Sequence, residues 1–224
     1  MPHLIPPRAV EVLSKERYNV GMITVYYTYY TPISNYIPDV TKQEHTLGRR
    51  LLAHGLQELF HVTVGSLEDL EGMLKIAENG KPYLKDYPNV FFSITHCDGL
   101  VACALGETEI GMDAELIQEF PEILIKRAFS EKEKDLLHAR GVTPDLHQEW
   151  FFRHWTLKEA YVKKTGVGVD TNLQDCSFDL TSGIICFDPT VSCDQAILPS
   201  GHILSVIYDY SSISKKRVVY LPIS

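Results

Sequence analysis

The segment that most constrains this chain is WFFRHWTLKEAYVKKTGVGV, residues 150–169. Thr143 followed by Pro144 starts a helix, since proline is accepted at the first helical position, and Gly166 ends it. Trp150, Phe151, Phe152, Trp155, Leu157, Ala160, Tyr161 and Val162 leave little of this helix polar. Yet Lys158 and Glu159 stand in the middle of the apolar run. Trp155, Glu159 and Lys163 are spaced i, i+4, i+8, so one face carries a ring, a carboxylate and an ammonium. A surface pair between Glu159 and Lys163 would contribute only ~0.3–0.5 kcal/mol. A charge at the margin of so large an apolar surface usually has a partner there.

The remaining sequence bounds what surrounds that helix. A chain of 224 residues permits one large domain or two small lobes. A net charge of −8 argues against a general nucleic-acid binder. Five cysteines, none in a CxxC pair, read as reduced thiols of a cytoplasmic protein. The N-terminus has no apolar core of signal-peptide length, and no run of eighteen apolar residues occurs, so no membrane span is expected. Residues 1–18, broken by prolines, read as a loosely attached leader. Strands are expected over 20–30, 89–96, 100–107 and 109–116, with more after Thr171 in CSFDL, GIICF, HILSVIYDY and KRVVYLPI. Helices are expected over 43–60, over SLEDLEGMLKIAEN from a Ser66–Asp69 capping box to Gly80, and over EKEKDLLHAR from Ser130 and Glu133. Helices and antiparallel strands mix without a βαβα rhythm, which makes the class α+β. A boundary near 107 divides the chain into 1–107 and 108–224.

In EIGMDAEL (109–116), strand alternation puts Ile110, Met112 and Ala114 on one face and Gly111, Asp113 and Glu115 on the other. Two carboxylates two residues apart repel unless a cation lies between them. From this octapeptide alone, two solvated acids are the commoner explanation. The helix changes that balance, because Glu159 offers a third carboxylate. Three carboxylates converging on one hard cation would make a magnesium site.

With these residues in place, the sequence resembles the phosphopantetheinyl transferases, in particular the monomeric two-lobe type that serves peptide synthetases and other carrier proteins. The motifs are NGKPYL (79–84), FFSITH (91–96), IGMDAE (110–115) and FFRHWTLKEAYVKKTGVG (151–168), with RAFSEKEKDLL (127–137) between the last two. Each is weak alone; their order and spacing carry the resemblance, which covers 79 to 168.

The resemblance implies a pseudo-dimer of two similar lobes, each an antiparallel sheet packed on helices, with the active site between them. It implies an enzyme of the holo-[acyl-carrier-protein] synthase type that moves the phosphopantetheine arm of coenzyme A to a serine of an acyl or peptidyl carrier protein. Asp113, Glu115 and Glu159 match the acidic set that holds magnesium at the pyrophosphate, and Lys163 the lysine beside the same phosphates. Glu159, or a water held by the metal, is the candidate base. Lys81 and Pro82 match the adenine end of coenzyme A. His96 matches the contact to its 3'-phosphate, and Thr95 stands where serine is usual. Thr46, Arg49 and Arg50 lie on the helix that supplies further phosphate contacts. Two positions depart from the pattern: ISNYIPDVTKQE offers only Lys42 where lysines are expected, and Ala114 replaces a larger aliphatic residue. A hydrolase of nucleotide pyrophosphates and a non-catalytic module binding coenzyme A or a carrier are the competing classes.

Overall fold

A computed structural model describes residues 21–167, 172–209 and 213–223; the leader expected over 1–18 lies outside them. In chain order the elements are β1 (Gly21–Tyr29), α1 (Ile37–Phe60), α2 (Leu67–Met73), β2 (Leu74–Ile76), β3 (Pro82–Leu84), β4 (Phe91–Cys97), β5 (Leu100–Gly106) and β6 (Ile110–Leu116). They continue with α3 (Ile123–Ala128), α4 (Glu131–Arg140), α5 (Pro144–Thr165), β7 (Phe178–Asp179), β8 (Ile185–Cys186), β9 (Val191–Ile197), β10 (His202–Asp209) and β11 (Ile213–Tyr220). The class is α+β, as expected. No helix among the described residues is long and apolar enough to cross a membrane.

Two sheets organise these elements, one ordered β11-β1-β5-β4 and the other β6-β10-β9. All pairings within them are antiparallel except β1 with β11, which is parallel. The first sheet is therefore mixed and not purely antiparallel. Strand β11 also returns from beyond residue 108 into the sheet built by the first half, so the second half contributes to both sheets. The sheets share one core. On β5 the alternate residues Leu100, Ala102 and Ala104 meet Ile110, Met112, Leu204 and Val206 from the other sheet. Val101, Cys103 and Leu105 point the opposite way, onto Leu51, Leu52 and Leu56 of α1. Both faces of β5 are covered, which is why LVACALG is apolar throughout and fully buried. On the outer side of the second sheet, Leu157 and Ala160 of α5 pack on Ile207, Phe178 and Val191.

Several local expectations are met at their caps. Ser66 accepts from the Asp69 amide, Ser130 and Glu133 form a full capping box, and Thr143 caps α5, which ends at left-handed Gly166. Helix α2 is shorter than expected and stops at Met73. Residues 74–76 leave the helix to pair with 82–84, a ladder that competes for the same backbone groups. Helix α1 starts six residues earlier than its apolar pattern, at Ile37, where Pro38 pre-sets the first turn and Asp39 suits the N-terminal dipole. Neither α3 nor β9 was expected.

Helix α5 is held by two devices. Its backbone lies directly on β6 at Gly111, where a Cβ would fall 2.1 Å from the carbonyl oxygen of Ala160 and 2.3 Å from the amide of Lys164. No side chain fits there. The second device is Lys158, fully buried on the far side of α5. Its ammonium donates to Glu133 Oε2 at 2.8 Å, to the Leu173 carbonyl at 2.9 Å and to the Cys176 carbonyl at 2.7 Å. Those three acceptors match its three N–H groups. Glu133 in turn accepts from the Phe178 amide at 2.9 Å.

Two stability predictions follow from these contacts. Gly111→Ala sets a methyl against backbone that cannot yield, so it lowers stability by at least the upper end of the ~1–3 kcal/mol typical of overpacking. Lys158→Met leaves a buried carboxylate and two carbonyls without their donor, a loss of about 3–5 kcal/mol. Urea denaturation midpoints at constant slope measure both; a Lys158→Met midpoint equal to wild type would refute the second.

Candidate functional site

The site forms along the seam where edge strand β4 of the first sheet meets β6 of the second. No backbone ladder joins them. Instead the Met112 amide donates to Ser93 Oγ at 3.0 Å, and Thr95 Oγ1 donates to Asp113 Oδ1 at 3.0 Å. With Ile110, Met112 and Ala114 in the inter-sheet core, Gly111, Asp113 and Glu115 face α5. Because Gly111 admits the helix backbone, the face of α5 bearing Trp155, Glu159 and Lys163 lies over those carboxylates. The hollow they line, about 430 Å³, also includes Ile94, Thr95 and His96.

Lys163 is the cation of this cluster. Its Nζ donates to Asp113 Oδ1 at 2.6 Å and to Thr95 Oγ1 at 3.1 Å. The partner of Lys163 is thus Asp113, across the seam, and not Glu159 one turn back on the same helix. Asp113 Oδ2 is buried and has no hydrogen-bond partner among the described residues. Burial pushes the Glu115 carboxyl up to about 7, with Asp113 and Glu159 adding to the rise while Lys163 opposes it. Glu159 is also raised, first by burial and then by Asp113. Three carboxylates here share one ammonium, and the shifts record burial first and that crowding of acids second.

These donors are hard oxygens, and one buried carboxylate oxygen is unpaired. That chemistry fits a small divalent cation such as magnesium, with Asp113, Glu115 and Glu159 as its holders. The side chains do not close round one point: among the described residues no three His, Cys, Asp or Glu groups are gathered as a ligand set. The reason is visible at Asp113, where the Lys163 ammonium supplies the positive charge instead.

Lys163 also lines a second hollow of about 270 Å³, with Arg49, Asn79, Lys81, Pro82 and Phe92. The two hollows therefore meet at this lysine, running from the Asn79–Pro82 turn to the carboxylates. Gly166 shapes the junction. Its φ of +68° is left-handed, and a Cβ there would fall 2.1 Å from Asn79 Nδ2. Lys81 sits at the edge of this hollow but spends its ammonium on Glu109 and on the carbonyls of Lys164 at 2.9 Å and Ile110 at 3.3 Å. Arg49 is paired with Glu71 at 2.6 Å. Thr46 is not brought to either hollow. Its hydroxyl donates to the Lys42 carbonyl one turn back, and it borders a separate depression with Lys42 and Arg50. His96 stands at the rim of the carboxylate hollow, its Nδ1 3.2 Å from Glu44 Oε2. Sequence reasoning missed Glu44, Ser93 and Asn79. Asn79 and Ser93 lay in quoted motifs, NGKPYL and FFSITH, and could have been found; Glu44 carries no motif signal of its own.

Comparison with known proteins bears on the family of the chain. The family model of the 4'-phosphopantetheinyl transferase superfamily matches residues 109–192, which contain Asp113, Glu115, Glu159 and Lys163. A 4'-phosphopantetheinyl transferase of Bacillus subtilis is 32% identical over 57% of this chain and 52% of its own length, so the match spans about half of that relative. The L-aminoadipate-semialdehyde dehydrogenase-phosphopantetheinyl transferase of Mus musculus is 35% identical over 48% of this chain and 39% of its own length. The solved holo-[acyl-carrier-protein] synthase of Thermotoga maritima aligns at a TM-score of 0.39 and 19% identity, over 48% of this chain and 64% of that one, too loosely to carry weight. The 4'-phosphopantetheinyl transferase HetI of Nostoc sp. (strain PCC 7120) is 30% identical over 82% of this chain and 73% of its own length. With that coverage at that identity, this chain belongs to the 4'-phosphopantetheinyl transferase superfamily.

Proposed function

We propose that this protein transfers the phosphopantetheine arm of coenzyme A to a serine hydroxyl of an acyl or peptidyl carrier protein, releasing adenosine 3',5'-bisphosphate. The observation that carries the proposal is the meeting of Asp113, Glu115, Glu159 and Lys163 at the seam, inside the segment matched by the family model. The long hollow suits an anionic, extended donor. Its turn end, with Lys81 and Pro82, takes the adenine, and His96 and Arg49 are placed for phosphate contacts.

The chemistry is an attack by the serine oxygen on the phosphorus nearer the pantetheine arm. A P–O bond forms there, the bond to the bridging pyrophosphate oxygen breaks, and the adenosine part leaves with that oxygen. Magnesium, when bound by Asp113, Glu115 and Glu159, supplies charge neutralisation at the pyrophosphate. Lys163 adds a point charge on the same oxygens once it leaves Asp113. Glu159 or a water beside it takes the serine proton. Its raised carboxyl favours that role over Asp113, which Lys163 and Thr95 hold by hydrogen bonds. Trp155 and Ile94 supply apolar side chains to the lining of the hollow. Five free cysteines suit a protein working in the reducing cytoplasm, and the monomeric state is carried over from the two-lobe type that the sequence resembles. The holo-[acyl-carrier-protein] synthase type is the working assignment, beside relatives named as 4'-phosphopantetheinyl transferases HetI and Sfp.

The test is mass spectrometry of a panel of purified apo-carriers incubated with enzyme, coenzyme A and magnesium. At least one carrier gains the mass of the arm, and a chelator abolishes the gain. Asp113→Asn lowers kcat/KM by about 10²-fold or more, since metal stabilisation is worth several kcal/mol. Magnesium raises the Tm of the wild type and not of Asp113→Asn, because a ligand stabilises only the state that binds it. Consumption of coenzyme A with every carrier unmodified would overturn transfer in favour of hydrolysis.

A further inference from the structure

Tyr30, just past β1, Glu44 on α1 and His96 near the end of β4 form a short chain of contacts that the mechanism above leaves unused. Glu44 is buried although Lys42, Gln43 and His45 beside it are not. The Tyr30 hydroxyl donates to Glu44 Oε1 and lies 3.4 Å from the Cys97 carbonyl oxygen. Glu44 Oε2 lies 3.2 Å from His96 Nδ1. Half of the His96 side chain stays open, at the rim of the hollow that holds Thr95, Asp113 and Lys163. Burial, and then Glu44, push the Tyr30 phenol well above its ordinary range, so it remains a donor.

A buried carboxylate needs a partner on each oxygen, and here each comes from a different element. The arrangement has a consequence for the imidazole. With the Glu44 carboxylate 3.2 Å from Nδ1, the ring is held on that side, and Nε2 is the nitrogen left to serve the hollow that His96 lines. In the imidazolium form both nitrogens donate, Nδ1 toward Glu44 and Nε2 toward an anion in the hollow. Glu44 alone at this place would repel a phosphate. With the imidazole between them, its charge instead holds the donor that meets the phosphate.

We propose that Glu44, braced by Tyr30, is a positioning residue for His96 and through it sets the preference for a donor that carries the ribose 3'-phosphate. The inference rests on coenzyme A being the donor.

The experiment is steady-state transfer to a saturating carrier from coenzyme A and from 3'-dephospho-coenzyme A. The quantity read is the ratio of kcat/KM for the two donors. Glu44→Leu lowers that ratio about tenfold, mainly through KM for coenzyme A, the size of a lost hydrogen bond to a charged group. Glu44→Gln, which keeps an acceptor for Nδ1–H, recovers part of the loss, and Tyr30→Phe shifts the ratio in the same direction by less. His96→Ala combined with Glu44→Leu gives no lower a ratio than His96→Ala alone, because the two act through one contact. Should Glu44→Leu fail to fold, Glu44→Gln and Tyr30→Phe decide by the same ratio. An unchanged ratio in folded variants, or an equal fall in kcat with both donors, overturns the inference while leaving transfer itself intact. A wild type that transfers from neither donor overturns the coenzyme A reading and this inference with it.

Discussion

The contact on which the site depends is backbone against backbone, α5 on β6 at Gly111. A helix usually stands about 10 Å from a sheet because side chains lie between them. Here one residue of β6 has none, and the Ala160 carbonyl and Lys164 amide come within reach of its Cα. That approach falls between Glu159 and Lys163 along the helix and between Ile110 and Met112 along the strand. The next outward residue of β6 is Asp113. The carboxylate of the strand and the ammonium of the helix are thereby set 2.6 Å apart without a loop or a strained turn. Lys158, on the opposite side of α5, keeps the helix from sliding by anchoring it to α4 and to the 173–178 segment. The two neighbours in sequence do different things: Lys158 stabilises the helix position and Glu159 uses it.

The electrostatics run against stability. Glu115 is pushed up to about 7, and Glu159 is raised with it, because burial takes both from water beside a third acid. A group whose folded pKa exceeds its unfolded value favours the folded state only when protonated, so at neutral and higher pH these two carboxyls oppose folding. The cost is met elsewhere, in the shared core between the sheets and in the α1 layer. Sites that carry such a burden belong to ligand binding more often than to scaffolding.

The parts of this structure legible in the sequence were those set by local chemistry. Alternation on EIGMDAEL assigned both faces of β6 correctly, and the spacing of Trp155, Glu159 and Lys163 gave the face of α5 that lies over Asp113 and Glu115. Ser66, Ser130, Thr143 and Gly166 marked helix ends because caps are made with neighbours. What was not legible depended on distant partners. Residues 74–76 look helical and become a strand because 82–84 offer a ladder. Strand β11 reads as part of the second half and pairs in parallel with β1, nearly two hundred residues earlier. Lys163 has an acid one turn back on its own helix and takes one across the seam instead. Thr46 shares a helix with Arg49, yet borders a different depression. The acids from Glu109 to Glu159 could be enumerated from the sequence, but Glu44 could not be singled out, since its role comes from where Tyr30 and His96 end up.

The cations that line the two hollows are all engaged: Lys163 with Asp113, Lys81 with Glu109, Arg49 with Glu71. A chain of net charge −8 thus keeps its local positive charge neutralised by its own acids. On the proposed function, an anionic donor entering this hollow competes with those acids for the same cations. Each lysine or arginine that turns to a phosphate leaves a carboxylate behind, and at Asp113 that carboxylate is buried, where an unpaired charge is costly. A divalent cation held by Asp113, Glu115 and Glu159 would supply the charge that Asp113 loses when Lys163 turns to a phosphate. Metal and anion binding would then be coupled through that lysine, reciprocally by linkage. Lys81 and Arg49 face a milder exchange, since Glu109 and Glu71 are about half exposed and can be left to water. On the proposed function the strongest coupling would therefore lie at Asp113 and Lys163, and the weakest at Lys81 and Arg49.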